Sequence, residues 1–225
     1  MKDYVEACAS HPNAARTGPL LDRIIADPAA HARFVNTLSR MEYVGVRKIL
    51  KSRRAERLDQ DGLQHILDEA VHALRLKKAA AALAGALPGA DALVRTFSAR
   101  DTLAGEAGET YLQGLDHRAE EALGDLPSEA RAEANYLLTS AAIEVRAQVF
   151  YPVYEQRLRA NGVGFSVASI SKDEDRHLDE MATGLGRALT DWRRRLEAVL
   201  EAEEALFFRF LAAVEAALNG PVQNA

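Results

Sequence analysis

The sequence predicts an all-α fold, an antiparallel four-helix bundle with a long crossover and an extra C-terminal helix. Three observations predict it. Leu, Ala, Glu and Arg dominate the 225 residues, while runs of β-branched residues are rare. Apolar residues recur at helical spacing over long stretches. Short clusters of Gly, Pro, Asn and Asp then divide those stretches into two hairpins with a less regular middle. The length suits one large domain, taken as residues 1–225.

The first residues read as irregular. Asp27-Pro28 looks like an N-cap followed by proline at the first helical position. From there Phe34, Val35, Leu38, Met41, Val44, Gly45, Ile49 and Leu50 predict one helix over residues 28–57. Asp59-Gln60-Asp61-Gly62 marks a turn and a new cap. Leu63, Ile66, Leu67, Ala70 and Leu74 carry a second helix to about Leu87, where Pro88-Gly89 stops it. Residues 88–127 form the crossover, with short helical patches at 90–97 and 109–123. Leu126-Pro127-Ser128-Glu129 starts a helix to about Arg159, with a kink or loosened turn expected at Pro152. A fourth helix starts near Ser169. A fifth follows Thr183-Gly184-Leu185-Gly186, over about 187–218, unless the two form one bent helix.

Composition excludes several classes. A net charge of −5 argues against a nucleic-acid partner, and basic runs such as Lys51 to Arg54 and Arg75 to Lys78 read as solvated helix faces and ends. The single cysteine, Cys8, rules out an intramolecular disulfide and a Cys-based zinc knuckle. No apolar leader region and no uncharged apolar stretch of ~18 residues is visible, so neither signal peptide nor membrane span is expected, and the cytoplasm is the default. No dinucleotide glycine motif, P-loop or nucleophile elbow appears.

Two pentapeptides stand out, Asp68-Glu69-Ala70-Val71-His72 and Asp173-Glu174-Asp175-Arg176-His177, both DExxH. On a helix, residues i and i+3 share a face, so each Glu and His can serve one metal. With 33 acidic residues and 6 histidines, a single ExxH would mean little; two copies of the longer motif mean more. Each is preceded by a helix with one isolated glutamate on a largely apolar stripe. Glu42 has Val35, Leu38, Ser39, Gly45, Val46 and Ile49 on its face; Glu144 has Leu137, Ser140, Ala141, Ala147, Gln148 and Tyr151. Glu69 follows Glu42 by 27 residues and Glu174 follows Glu144 by 30, so the chain reads as a weak internal duplication of a metal half-site. Four carboxylates in a bundle core would repel and be desolvated unless cations neutralised them. Carboxylates with two imidazoles and no thiolate suit iron or manganese better than structural zinc.

This pattern resembles the ferritin-like di-iron carboxylate superfamily, whose motif is Glu, Glu-x-x-His, Glu, Glu-x-x-His over four helices. The resemblance covers residues 28–190 and implies a ferritin-like bundle holding two iron ions, or iron and manganese. Glu42, Glu69 and His72 would come from one hairpin and Glu144, Glu174 and His177 from the other. The resemblance also implies that some of the glutamates bridge the metals. DEDRH is similar to the repeated DExRH motif of bacterial multicomponent monooxygenases, from which the first copy departs at Val71. Rubrerythrin-like proteins carry Glu-x-x-Glu on the third helix and a Cys-rich module; here position 147 is Ala and those cysteines are missing.

Asp68 and Asp173 read as partners that orient the histidines. His31, His65 and His117 read as ordinary helix histidines, since none has Glu three residues before it. Glu109, Glu120, Glu133 and Glu155 read as surface charges. Tyr43, Phe150, Tyr151 and Tyr154 read as packing, with Tyr151 the best redox exception. The favoured function is an O₂-dependent oxidoreductase of oxygenase type acting on a small hydrophobic molecule. Gly45 and Ala147 would leave space beside the metals, and Val46, Ile49, Ala147 and Phe150 would give an apolar lining. An electron-donor protein and a second copy of the chain are the candidate partners. The alternatives are a ferritin- or rubrerythrin-type iron-oxidising, storage or peroxide-detoxifying protein, and a degenerate bundle without metal.

Overall fold

The computed structural model describes residues 1–52, 58–87 and 93–220. Among these are eight α-helices and no strand: α1 (Lys2–Ser10), α2 (Thr17–Ala26), α3 (Pro28–Ser52), α4 (Gln60–Gly85), α5 (Ala107–Glu121), α6 (Ser128–Ala160), α7 (Ala168–Ala188) and α8 (Trp192–Asn219). The N-terminal segment, expected to be irregular, instead forms α1, a 3₁₀ turn at Ala14–Arg16 and α2. Helix α2 buries Leu20, Leu21 and Ile24, a stripe at i, i+1 and i+4 too short to stand out by periodicity.

Caps set the two hairpins. Asp27 accepts from the amides of Ala29 and Ala30, both at 3.0 Å, and Asp59 accepts from Gly62 N at 2.9 Å. The expected end of α3 near residue 57 and the Pro88-Gly89 stop lie outside the described residues. Helix α6 continues through Pro152. Helix α7 passes Gly184 and Gly186 and ends at Ala188, before Leu189 turns the backbone extended. The last helix therefore starts at Trp192 rather than near 187, and α7 and α8 are separate helices. Residues 93–97, expected within a helical patch, form turns and bends.

Contacts give the directions. Ser39 Oγ donates to Ala73 O at 2.6 Å while the later Gly45 faces the earlier Glu69, so α3 and α4 are antiparallel. Gln148 Nε2 reaches Ser171 O at 2.9 Å while Leu137 meets Gly184, so α6 and α7 are antiparallel too. The crossover helix α5 pairs in the same sense with α8, as Asp125 binds Arg195 and Tyr111 binds Glu203. The loop before α5 is fixed to α3 just ahead of Glu42. Asn36 Nδ2 donates to Thr96 O and Asp101 O at 2.8 and 2.7 Å, and Thr37 exchanges hydrogen bonds with Leu103.

The apolar core has two halves. Phe34, Val35, Leu38, Leu76, Ala80, Phe150, Tyr154 and Ile170 belong to one; Ile49, Leu137, Leu138, Ala141, Met181 and Leu185 belong to the other. On each bundle helix the boundary falls at the glutamate: Leu38 and Ile49 flank Glu42, and Ile170 and Met181 flank Glu174. Each fully buried Leu, Ile or Phe is worth ~1.5–3 kcal/mol, so two such clusters can hold a costly polar layer between them.

Candidate metal centre

Each of the six residues singled out by the motifs lies in that polar layer. Glu69, His72, Glu144, Glu174 and His177 are buried, and the Glu42 side chain is 11% exposed. One helical turn separates Glu from His within α4 and within α7, so both imidazoles lie beside their glutamates. Nδ1 of His177 is 2.8 Å from Glu174 Oε2, 3.8 Å from Glu144 Oε1 and 4.0 Å from Glu69 Oε1. Nδ1 of His72 is 3.3 Å from Glu174 Oε1 and 3.9 Å from Glu42 Oε2. The two oxygens of Glu174 thus face one histidine each.

His65 joins them, contrary to its reading as an ordinary helix histidine. It is buried, its ring stacks on His177 with centroids 4.1 Å apart, and Nε2 lies 3.5 Å from Glu69 Oε1 and 3.7 Å from Glu144 Oε1. Tyr136 Oη sits 2.9 Å from Nδ1. The tautomer with Nδ1–H donating to Tyr136 leaves the Nε2 lone pair aimed inward. The sequence signal was the run His65-x-x-x-Glu69-x-x-His72, at i, i+4 and i+7 on one helix face.

Two groups of potential ligand atoms result among the described residues, each within 4.8 Å of one another: His65, Glu69, Glu144 and His177, and Glu42, Glu69, His72 and Glu174. Glu69 belongs to both. The donors fit a cation. Nδ1 of His72 is buried and has no well-aligned hydrogen bond among the described residues, although it faces two carboxylates. Burial, with repulsion from Glu69 and Glu174, holds the Glu42 carboxyl well above its ordinary range; burial and the Glu174 charge do the same for Glu144. Burial would lower His72, but Glu174, Glu42 and Asp173 outweigh it and push it up to about 10. Glu174 is held below its ordinary range, its burial outweighed by His177 and His72. The same layer that collects protons in this way can hold metal ions, which displace protons from carboxylates and imidazoles.

Both expected orienting carboxylates are in contact, crosswise. Asp173 Oδ2 lies 3.1 Å from Nε2 of His72, and Asp68 Oδ2 lies 3.3 Å from Nε2 of His177. Arg176 also binds Asp68. Tyr151 donates to Glu42, and this residue was the singled-out tyrosine. A Cβ on Gly45 would stand 2.5 Å from Glu69 Oε2, so the missing side chain makes room for that carboxylate. Away from the site, His31 is buried against Tyr154 Oη at 2.8 Å, and the exposed His117 pairs with Glu121, as ordinary helix histidines do. A buried pair the sequence reading missed, Arg146 with Glu203 at 2.7 and 3.0 Å, ties α6 to α8.

A cavity of about 180 Å³ opens against the carboxylate layer. Its wall includes Gly45, Ile49, Ala147 and Phe150 as expected, together with Met41, Ile143, Phe207 and Phe210, and it reaches Glu42, Glu69, Glu144 and Glu174. Val46 takes no part. A second recess, lined by Asp59, Asp61, Glu133, Asp179 and Glu180 together with Arg176 and Arg187, leads to Tyr136 and His65.

Fold and site together define an all-helical bundle whose buried carboxylate and imidazole groups can hold metal ions. No protein-family model, curated protein or solved structure matches the chain. No described helix is long and apolar enough to cross a membrane.

Proposed function

We propose that the chain belongs with the ferritin-like di-metal carboxylate proteins and acts as an O₂-dependent oxidoreductase on a small apolar organic molecule. Glu42, Glu69, His72, Glu144, Glu174 and His177, with His65 as a seventh ligand, would hold two iron ions, or iron with manganese. Such ions supply Lewis acidity and one-electron chemistry toward O₂. Glu69, present in both donor groups, and Glu174, facing both histidines, would each help to hold both ions. Asp68 and Asp173 hold the imidazoles, Tyr151 steadies Glu42, and the apolar wall keeps water from the organic molecule.

The observation that carries this reading is the cavity, which is mainly apolar and ends on four of the glutamates. An iron-oxidising storage protein is the second reading. The recess leading to His65 favours it, because its five carboxylates outnumber its two arginines and a ferroxidase needs a path for Fe(II). Anaerobic loading with Fe(II), then exposure to O₂ with iron quantification, optical spectra and light scattering, separates the two. Two ions per chain, O₂ uptake and a small oligomer are expected, and Glu69→Ala or Glu174→Ala should lose at least one ion. No iron in a folded sample would remove the metal reading, and a large hollow cage would promote storage.

A further inference from the structure

The cavity carries information about the shape and charge of its ligand. Its volume, about 180 Å³, slightly exceeds the roughly 150 Å³ of an apolar protein cavity that takes up benzene. One ring with one substituent fills it. The charged side chains in the wall, apart from the proposed metal ligands, are already paired. Lys48 binds Asp116 and Asn135, and Arg146 binds Glu203 and Glu204. An ionised ligand would lose its water without gaining a free counter-charge.

Helix α6 brings two hydroxyl side chains to this wall, Thr139 and Ser140. Along that helix Thr139, Ile143 and Ala147 recur every four residues and line the cavity. Thr139 is 2% exposed, and its hydroxyl makes no hydrogen bond among the described residues. Buried hydroxyls are normally partnered, often with the carbonyl one turn earlier when the threonine is helical. A helical threonine has two accessible χ1 rotamers, so a change of rotamer can turn this hydroxyl to a ligand. Glu144 stands five positions after Thr139, a rise of about 7.5 Å along the helix, and lines the cavity too. Glu69 lines the same cavity, so Thr139 and both carboxylates face one space.

We infer that the cavity binds a neutral, single-ring-sized molecule with one hydrogen-bonding substituent, held by Thr139, whose opposite end is presented to Glu69 and Glu144. The inference rests on the oxidoreductase reading only for the chemistry after binding.

Calorimetric titration of the metal-free 225-residue chain with phenol, toluene and benzoate reads binding without turnover. Phenol should bind roughly 5-fold more tightly than toluene, the size of one net hydrogen bond. Benzoate should bind most weakly. Thr139→Val should bring phenol down to the toluene affinity and leave toluene unchanged, while Thr139→Ser should keep most of the difference. Equal affinities for phenol and toluene, a preference for benzoate, an unchanged ratio in Thr139→Val, or no binding of any probe would overturn the inference. A chain that binds as expected but never reacts with O₂ after Fe(II) loading would keep this inference and sink the oxidoreductase reading.

Discussion

Nε2 of His72 lies 3.1 Å from Oδ2 of Asp173, a carboxylate that belongs to the other DExxH segment. The relation is reciprocal, since Asp68 meets Nε2 of His177 at 3.3 Å. Each motif therefore orients the histidine of its duplicate, and α4 and α7 are braced against each other across the layer. With Nε2 engaged outward, Nδ1 of each ring is left facing the glutamates. Asp173→Ala should weaken metal binding by about 10–100-fold, with the loss falling on the group containing His72. Asp68→Ala should act on the group containing His177. Metal titration with a competing chelator checks both, and a loss in the motif's own half would contradict the crossing.

His65 should matter as much as the motif histidines. Its Nε2 faces Glu69 and Glu144, and it supplies the second imidazole of one donor group only. His65→Leu should therefore weaken one site by ~100-fold or more, beyond the usual effect of an orienting partner, and leave the other site occupied. At limiting metal the variant should hold one ion per chain where the wild type holds two. Two ions bound with unchanged affinity would return His65 to an ordinary buried histidine.

Gly45 and Ala147 both border the cavity, yet they should behave differently. A Cβ at Gly45 meets Glu69 Oε2, a side chain shared by both donor groups. Gly45→Ala should lower metal affinity at both sites by roughly 10-fold or more. Alanine exceeds glycine in helix propensity by about 1 kcal/mol, so the metal-free variant should fold at least as well. Ala147→Leu should instead fill the cavity, abolish toluene binding and leave metal content near wild type. Elemental analysis and calorimetry on the two variants separate the roles.

The bundle and six of the seven clustered side chains were legible because they repeat. Glu42 and Glu144, Glu69 and Glu174, and His72 and His177 are duplicates, and a repeated pattern stands out from 33 scattered acidic residues. His65 was not legible by that route. The position four residues before Glu174 is Ile170, a buried core residue, so the duplication fails at that point. The crossed pairing of the aspartates depends on how α4 meets α7, and spacing within either helix does not contain it. The short helices α1 and α2 escaped for a different reason: few residues contribute to their apolar stripe, so tertiary packing rather than periodicity decides them.

His31 gives a pH dependence separate from the metal layer. It is buried between α3 and α6, its ring lies against Tyr154 and Phe165, and it hydrogen-bonds Tyr154 Oη. Burial lowers its pKa from 6.5 to about 4. In the unfolded chain the same histidine keeps its ordinary value, ~6.5. Above that pH neither state holds the extra proton, and His31 adds no slope. Between about 6.5 and 4 the unfolded chain takes up a proton that the folded chain refuses, so stability falls as pH drops; below about 4 both are protonated and the slope ends. At pH 5 the loss should be about 1–2 kcal/mol relative to pH 7.5. Urea unfolding of the metal-free chain at the two pH values, compared with His31→Gln, isolates this contribution from the carboxylates. The wild type should lose more stability than the variant by that amount, and equal losses would show that His31 is protonated without unfolding the chain around it.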